Sequence, residues 1–138
     1  TLEDAHTRVV RERDVIPLLF LADLLITDAS SLSSEYALMD RPIVFLDVPK
    51  LIARVMARNN TMVDMDTWGR RAGIIVRKPE LVLDAVDKSL ADPSSHAEVR
   101  RAMADDLFYN PGRATDEAFD WVCNELAATV RSIPTSSV

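Results

Sequence analysis

An α/β fold, with a parallel sheet flanked by helices, is predicted for this chain by three observations. Two continuous apolar runs, LLIT (24–27) and IVFLD (43–47), bracket a stretch whose apolar residues recur at helical spacing. A third run, GIIVRK (73–78), also leads into a helical stretch. None of the three alternates apolar with polar residues, as a half-exposed strand would; strands covered by helices on both faces read this way.

Each element has its own local reason. RVVRERDV (8–15) is expected as a short strand, since Val9 and Val10 are β-branched. IPLLFLA (16–22) suits a short helix, with Asp14 placed to cap it and Pro17 in its first turn. LLIT is the first covered strand. LSSEYALMD (32–40) sets Leu32, Tyr36 and Met39 at helical spacing, and Arg41-Pro42 ends it. IVFLD follows as a strand, so residues 24–47 form a βαβ unit, for which a right-handed crossover is the rule.

LIARVMAR (51–58) reads as a helix and residues 59–72 as a loop. After the strand GIIVRK, PELVLDAVDKSLAD (79–92) opens on a proline and puts Leu83, Val86 and Leu90 on one face. HAEVRRAMADDLF (96–108) aligns Val99, Met103 and Leu107. YNPG makes a turn. RATDEAFDWVCNELAATVR (113–131) is the longest helix, with Ala118, Val122, Leu126 and Val130 four residues apart. The alternation of strands and helices argues for α/β architecture. A single domain is expected over residues 1–131, with a disordered tail over 132–138. Three or four strands are few beside the five or six usual in a sheet. The chain also begins without Met. The domain is therefore read as truncated at its N-terminus.

Composition narrows the function. The chain has 138 residues, 48% hydrophobic and 28% charged, with a net charge of −6. No block of Lys and Arg marks a nucleic-acid surface, so no nucleic-acid partner is expected. The single cysteine, Cys123, excludes a disulfide framework and fits a reducing compartment. No apolar run approaches the ~20 residues of a membrane span. His6 and His96 are isolated, and no metal site is expected. Trp68 and Trp121 read as packing residues.

Two corners carry possible chemistry. TDASS (27–31) lies at the carboxyl end of a parallel strand, where ligands bind in such sheets. Asp28, Ser30 and Ser31 precede a helix whose first N–H groups are unpaired. Those side chains fit either a helix cap or a phosphate site with hydroxyl donors. Glycine is absent there, which excludes a P-loop and a dinucleotide fingerprint. Glu35, four residues after Ser31, sits one turn into the same helix and suits either a sugar hydroxyl or Arg41. The second corner is NPGRATDEAF (110–119). Gly112 allows a tight turn or a close approach to a ligand, Arg113 can pair with phosphate, and Thr115 can cap the long helix.

ADLLITDASSLSSEYALMDRPIVFLD (22–47) resembles the C-terminal half of the CDP-glycerol glycerophosphotransferase family, the teichoic-acid primases and polymerases. The likeness runs through Ala22, Asp23, Ile26, Thr27, Asp28, Ser30, Ser31, Glu35, Leu38, Pro42, Ile43 and Phe45. FYNPGRATDEAFDWV (108–122) is similar to the family's closing motif, and the likeness covers most of residues 14–131. Ala29 departs from the family's aromatic at that position. The resemblance implies the C-terminal, donor-nucleotide domain of a two-Rossmann (GT-B) transferase. It implies that Asp28, Ser30, Ser31, Gly112, Arg113 and Thr115 meet the donor diphosphate or its surroundings, with Glu35 near the ribose or the glycerol.

By the same resemblance, the donor is CDP-activated, no cofactor is tightly bound, and a separate N-terminal domain binds the acceptor. The catalytic base lies outside this chain, so the fragment alone is expected to be inactive. The parent works in the cytoplasm, at the inner face of the membrane, in cell-envelope synthesis. Two other readings stay open: a UDP-sugar glycosyltransferase or 2-epimerase-like domain, and a non-catalytic Rossmann binding module. The sequence carries no signal for oligomeric state.

Overall fold

Three short apolar segments pair in chain order to make the sheet. The computed structural model describes residues 4–11, 13–28, 30–50, 53, 54, 57 and 68–132. Within them, β1 (Leu25–Thr27), β2 (Ile43–Leu46) and β3 (Ile74–Val76) form a parallel sheet of order β1-β2-β3. Leu25 pairs with Ile43 and Thr27 with Phe45; Val44 pairs with Ile74 and Leu46 with Val76. The helices are α1 (Ile16–Leu21), α2 (Leu32–Ala37), α3 (Trp68–Arg71), α4 (Val82–Ala91, entered by a 3-10 turn at Pro79–Leu81), α5 (Ala97–Leu107) and α6 (Ala114–Ser132). The chain divides into two compact units, Thr1–Ala104 and Asp105–Val138.

In the first unit the sheet is a middle layer, as the apolar runs require. Strand side chains alternate between faces. Ile43 and Phe45 of β2 join Leu19 of α1, Tyr36 and Ala37 of α2, Ala72 and Met103 of α5 in one core. Val44, on the opposite face, packs with Val76 of β3 and Ala85 of α4. Burying a side chain such as Phe45 stabilises by about 1.5–3 kcal/mol. Tyr36 adds a polar tie: its hydroxyl donates to Ala22 O at 2.7 Å. Arg41 donates to Ala22 O and to Phe20 O, so α2 and its exit are fastened to the end of α1. Arg41 thus caps carbonyls of α1 instead of meeting Glu35.

Several expectations are corrected. Residues 8–11 and 13–15 form no strand, and Val9 and Val10 are exposed. β-branching favours a strand only where a neighbouring ladder exists, and none lies beside them among the described residues. β1 is not covered on both faces, because α4 packs on β2 and β3 and leaves Ile26 exposed. α4 buries Ala85 and Ser89 with Val82 partly covered, not Leu83 and Leu90. Ala85 and Ser89 are the positions it turns toward β2 and β3. The segment 59–72, expected as a loop, ends in the short helix α3; the rest of it, and most of the helix expected over 51–58, lies outside the described residues.

The second unit holds the end of α5 and the long helix α6. Its expected apolar row is not a buried face: Val122 and Leu126 are exposed, and Trp121, expected to pack, is 65% exposed. A row at four-residue spacing is buried only against a second layer, and the described residues of this unit supply none.

Candidate functional site

Parallel strands deliver their last residues to one edge of the sheet, and that edge is polar here. Asp28 follows β1, Asp47 follows β2 and Arg77 follows β3. The βα corner after β1 holds the serine cluster. Ser30 Oγ accepts a hydrogen bond from Leu32 N at 3.3 Å, and Ser33 Oγ donates to Ser30 O at 2.8 Å. Ser33 is buried and spent on this turn. Ser31 stands at the N-cap position, yet its side chain makes no cap hydrogen bond and is exposed. Its hydroxyl is therefore open to a ligand. Ser30 serves as the partial cap.

Asp28 and Glu35 are both half-buried. Among the described residues neither carboxylate forms an ion pair, which leaves them available to ligand hydroxyls. The helix after this corner, α2, has six residues. A helix this short has a correspondingly weak dipole. Ala29 lies outside the described residues.

A charged cluster that the motif reading missed stands on the same edge. Arg70 NH1 lies 3.3 Å from Asp47 Oδ1, and Arg77 Nε lies 3.6 Å from Asp47 Oδ2. Asp47 N also donates to Val76 O at 2.7 Å, extending the β2–β3 pairing to the edge. The position immediately after each apolar run would have flagged Asp47 and Arg77. Nothing local would have flagged Arg70, which reaches Asp47 across 23 positions of chain.

In the second unit, Gly112 has φ +81° and Asn110 has φ +46°, so the turn before α6 is left-handed at two positions. Arg113 N donates to Asn110 O at 2.9 Å, closing that turn. The Arg113 guanidinium pairs with Glu117 at 2.8 Å along α6 and is largely exposed. Thr115 is not the cap, because α6 begins at Ala114 and places it inside the first turn. Among the described residues no group of three or more His, Cys, Asp or Glu is arranged to hold a metal ion.

Fold and edge together define a Rossmann-like α/β domain whose strand ends carry hydroxyls, acids and guanidinium groups. The family model described as CDP-glycerol:poly(glycerophosphate) glycerophosphotransferase matches residues 2–124, and the chain belongs to that family. Comparison with curated proteins and with solved structures gave no match. No helix among the described residues is long and apolar enough to cross a membrane.

Proposed function

We propose that this chain is the donor-binding part of a transferase that moves glycerol phosphate from CDP-glycerol to a cell-envelope polymer. The observation that carries the reading is the corner after β1. There, Ser31 offers an uncommitted hydroxyl at the carboxyl end of a parallel strand, in a chain of this family.

In the reaction, an acceptor hydroxyl oxygen attacks the phosphorus that bears the glycerol. The bond from that phosphorus to the bridging oxygen breaks, and CMP leaves with the electron pair. Charge grows on the departing phosphate, where hydroxyl and guanidinium donors stabilise it more than they stabilise the ground state. Ser30 and Ser31 supply such donors. Asp28 and Glu35 suit the ribose or glycerol hydroxyls. Gly112, Arg113 and Thr115 are the second set the family likeness assigns to the donor. The proposal places the acceptor site and the general base on a further domain, with the full-length protein working at the cytoplasmic face of the membrane.

Calorimetric titration of CDP-glycerol and CDP into the full-length protein tests this. Ser31→Ala and Arg113→Ala are each expected to weaken binding about tenfold, the scale of one lost hydrogen bond to a charged group. Unchanged affinity in both variants overturns the site. Preference for a UDP-sugar overturns the donor.

A further inference from the structure

We propose that Arg77 is a mobile cation that closes on the outer phosphate of the donor, held ready by Asp47, while Arg70 keeps Asp47 in place. The inference rests on the donor-binding reading above and deepens it by naming a residue that the family motifs leave out.

The three side chains differ sharply in burial. Arg70 is 9% exposed, Asp47 17% and Arg77 82%. Arg70 is thus a fixed part of the fold, and its guanidinium already neutralises Asp47. Arg77 is a second cation on an acid that needs only one. Among the described residues two guanidinium groups thus meet the one carboxylate of Asp47. Its contact with Asp47 is long, at 3.6 Å, and open to water. Exposed pairs of this kind are weak, so Arg77 leaves it at little cost.

Placement supplies the target. β1 and β3 flank β2, so their carboxyl ends stand two strand spacings apart, about 10 Å. An extended arginine rooted after β3 and a diphosphate seated after β1 span that gap. A dianionic group beside Asp28 and Asp47 also requires compensation. Among the described residues at this end of the sheet, Arg70 is committed to Asp47, and Arg77 is the exposed cation. Its planar fork matches two phosphate oxygens at once. The next residue, Lys78, has extended backbone (φ −137°), so its side chain points to the opposite face. It serves as the control for charge alone.

The experiment titrates CDP and CMP into the full-length protein and its variants Arg77→Gln, Arg77→Lys and Lys78→Gln. Thermal unfolding verifies that each variant is folded; Arg77 is exposed, and no loss is expected. Arg77→Gln should weaken CDP about tenfold and CMP far less, collapsing the preference for the diphosphate. Arg77→Lys should restore part of that preference. Lys78→Gln should keep it. If Arg77→Gln retains the full preference while Ser31→Ala loses affinity, the inference fails and the donor site stands. If Lys78→Gln loses as much as Arg77→Gln, a general field and not a placed guanidinium is at work, and the inference fails. If the unaltered protein binds neither CDP nor CDP-glycerol, both readings fall together.

Discussion

Arg100 Nε lies 3.1 Å from Asp40 Oδ1, joining α5 to the turn between α2 and β2 across 60 positions of chain. Arg100 is 1% exposed, and its remaining donors go to Asp40 O, Pro93 O and Ser95 O. Asp40 itself has φ +49°, a left-handed position that Asp and Asn tolerate better than other side chains. Its second oxygen meets Arg101 at 2.7 Å, on the surface.

This pairing predicts a contrast between two variants. Asp40→Asn preserves the backbone preference but leaves the buried Arg100 charge without its counter-ion. It should destabilise the fold by roughly 3 kcal/mol. Arg101→Ala removes only the exposed partner and should cost less than about 1 kcal/mol. Urea unfolding of both proteins checks this; equal losses would mean that burial does not decide the strength of the pair.

Two glycines should lose stability on change to alanine by different amounts and for different reasons. A Cβ on Gly73 would stand 2.0 Å from the backbone oxygen of Ile43, so α3 and β3 meet β2 only if position 73 has no side chain. Gly73→Ala is expected to cost about 3 kcal/mol, at the upper end for overpacking, because backbone and not a flexible side chain must move. A Cβ on Gly112 would meet nothing, and its φ of +81° is the sole obstacle. Gly112→Ala should cost only about 1–2 kcal/mol. Chemical denaturation ranks the two, and a larger loss at Gly112 would contradict the close approach.

Tyr36 gives the fold an alkaline limit. Burial pushes its phenol above the usual 10.0, with the Arg41 guanidinium opposing the rise. A raised folded-state value means that the neutral phenol is favoured in the folded protein. Its contribution is complete below the unfolded value and is lost as pH climbs from there through the folded one. Tyr36→Phe should cost about 1 kcal/mol at neutral pH, from the lost bond to Ala22 O. It should also flatten the fall in stability above about pH 10. Parallel alkaline profiles for the two proteins would refute the assignment.

The sheet was readable in the sequence because β2 and β3 are continuous apolar runs bounded by Pro42, Gly73 and Pro79, and such runs have few other uses. The segment around Val9 and Val10 was misread because propensity cannot announce whether a pairing partner exists. The buried face of α4 was misread for a related reason. Leu83 and Leu90 carry the hydrophobic signal, but the docking of the helix on β2 and β3 turns Ala85 and Ser89 inward, and that docking is a tertiary quantity. At the site, Ser30 and Ser31 stood out because a hydroxyl cluster between a strand and a helix is unusual. The division of labour among them was not visible, since Ser33 is consumed by the turn and Ser31 is left open. The cluster of Asp47, Arg70 and Arg77 escaped motif reading because Asp47 is not among the matched positions of its motif, Arg77 follows a strand outside both motifs, and Arg70 pairs with Asp47 across 23 positions of chain.

The sheet order, in which each strand lies beside its successor, has a kinetic consequence. The β1–β2 ladder closes over residues 28–42 and the β2–β3 ladder over the longer stretch 47–73, so the first closure costs less chain entropy than the second. β1, α2 and β2 make the natural nucleus, with the parallel strand β3 and the Arg100 clasp added afterwards. Core substitutions such as Phe45→Ala would then slow refolding, whereas loss of the clasp would mainly hasten unfolding.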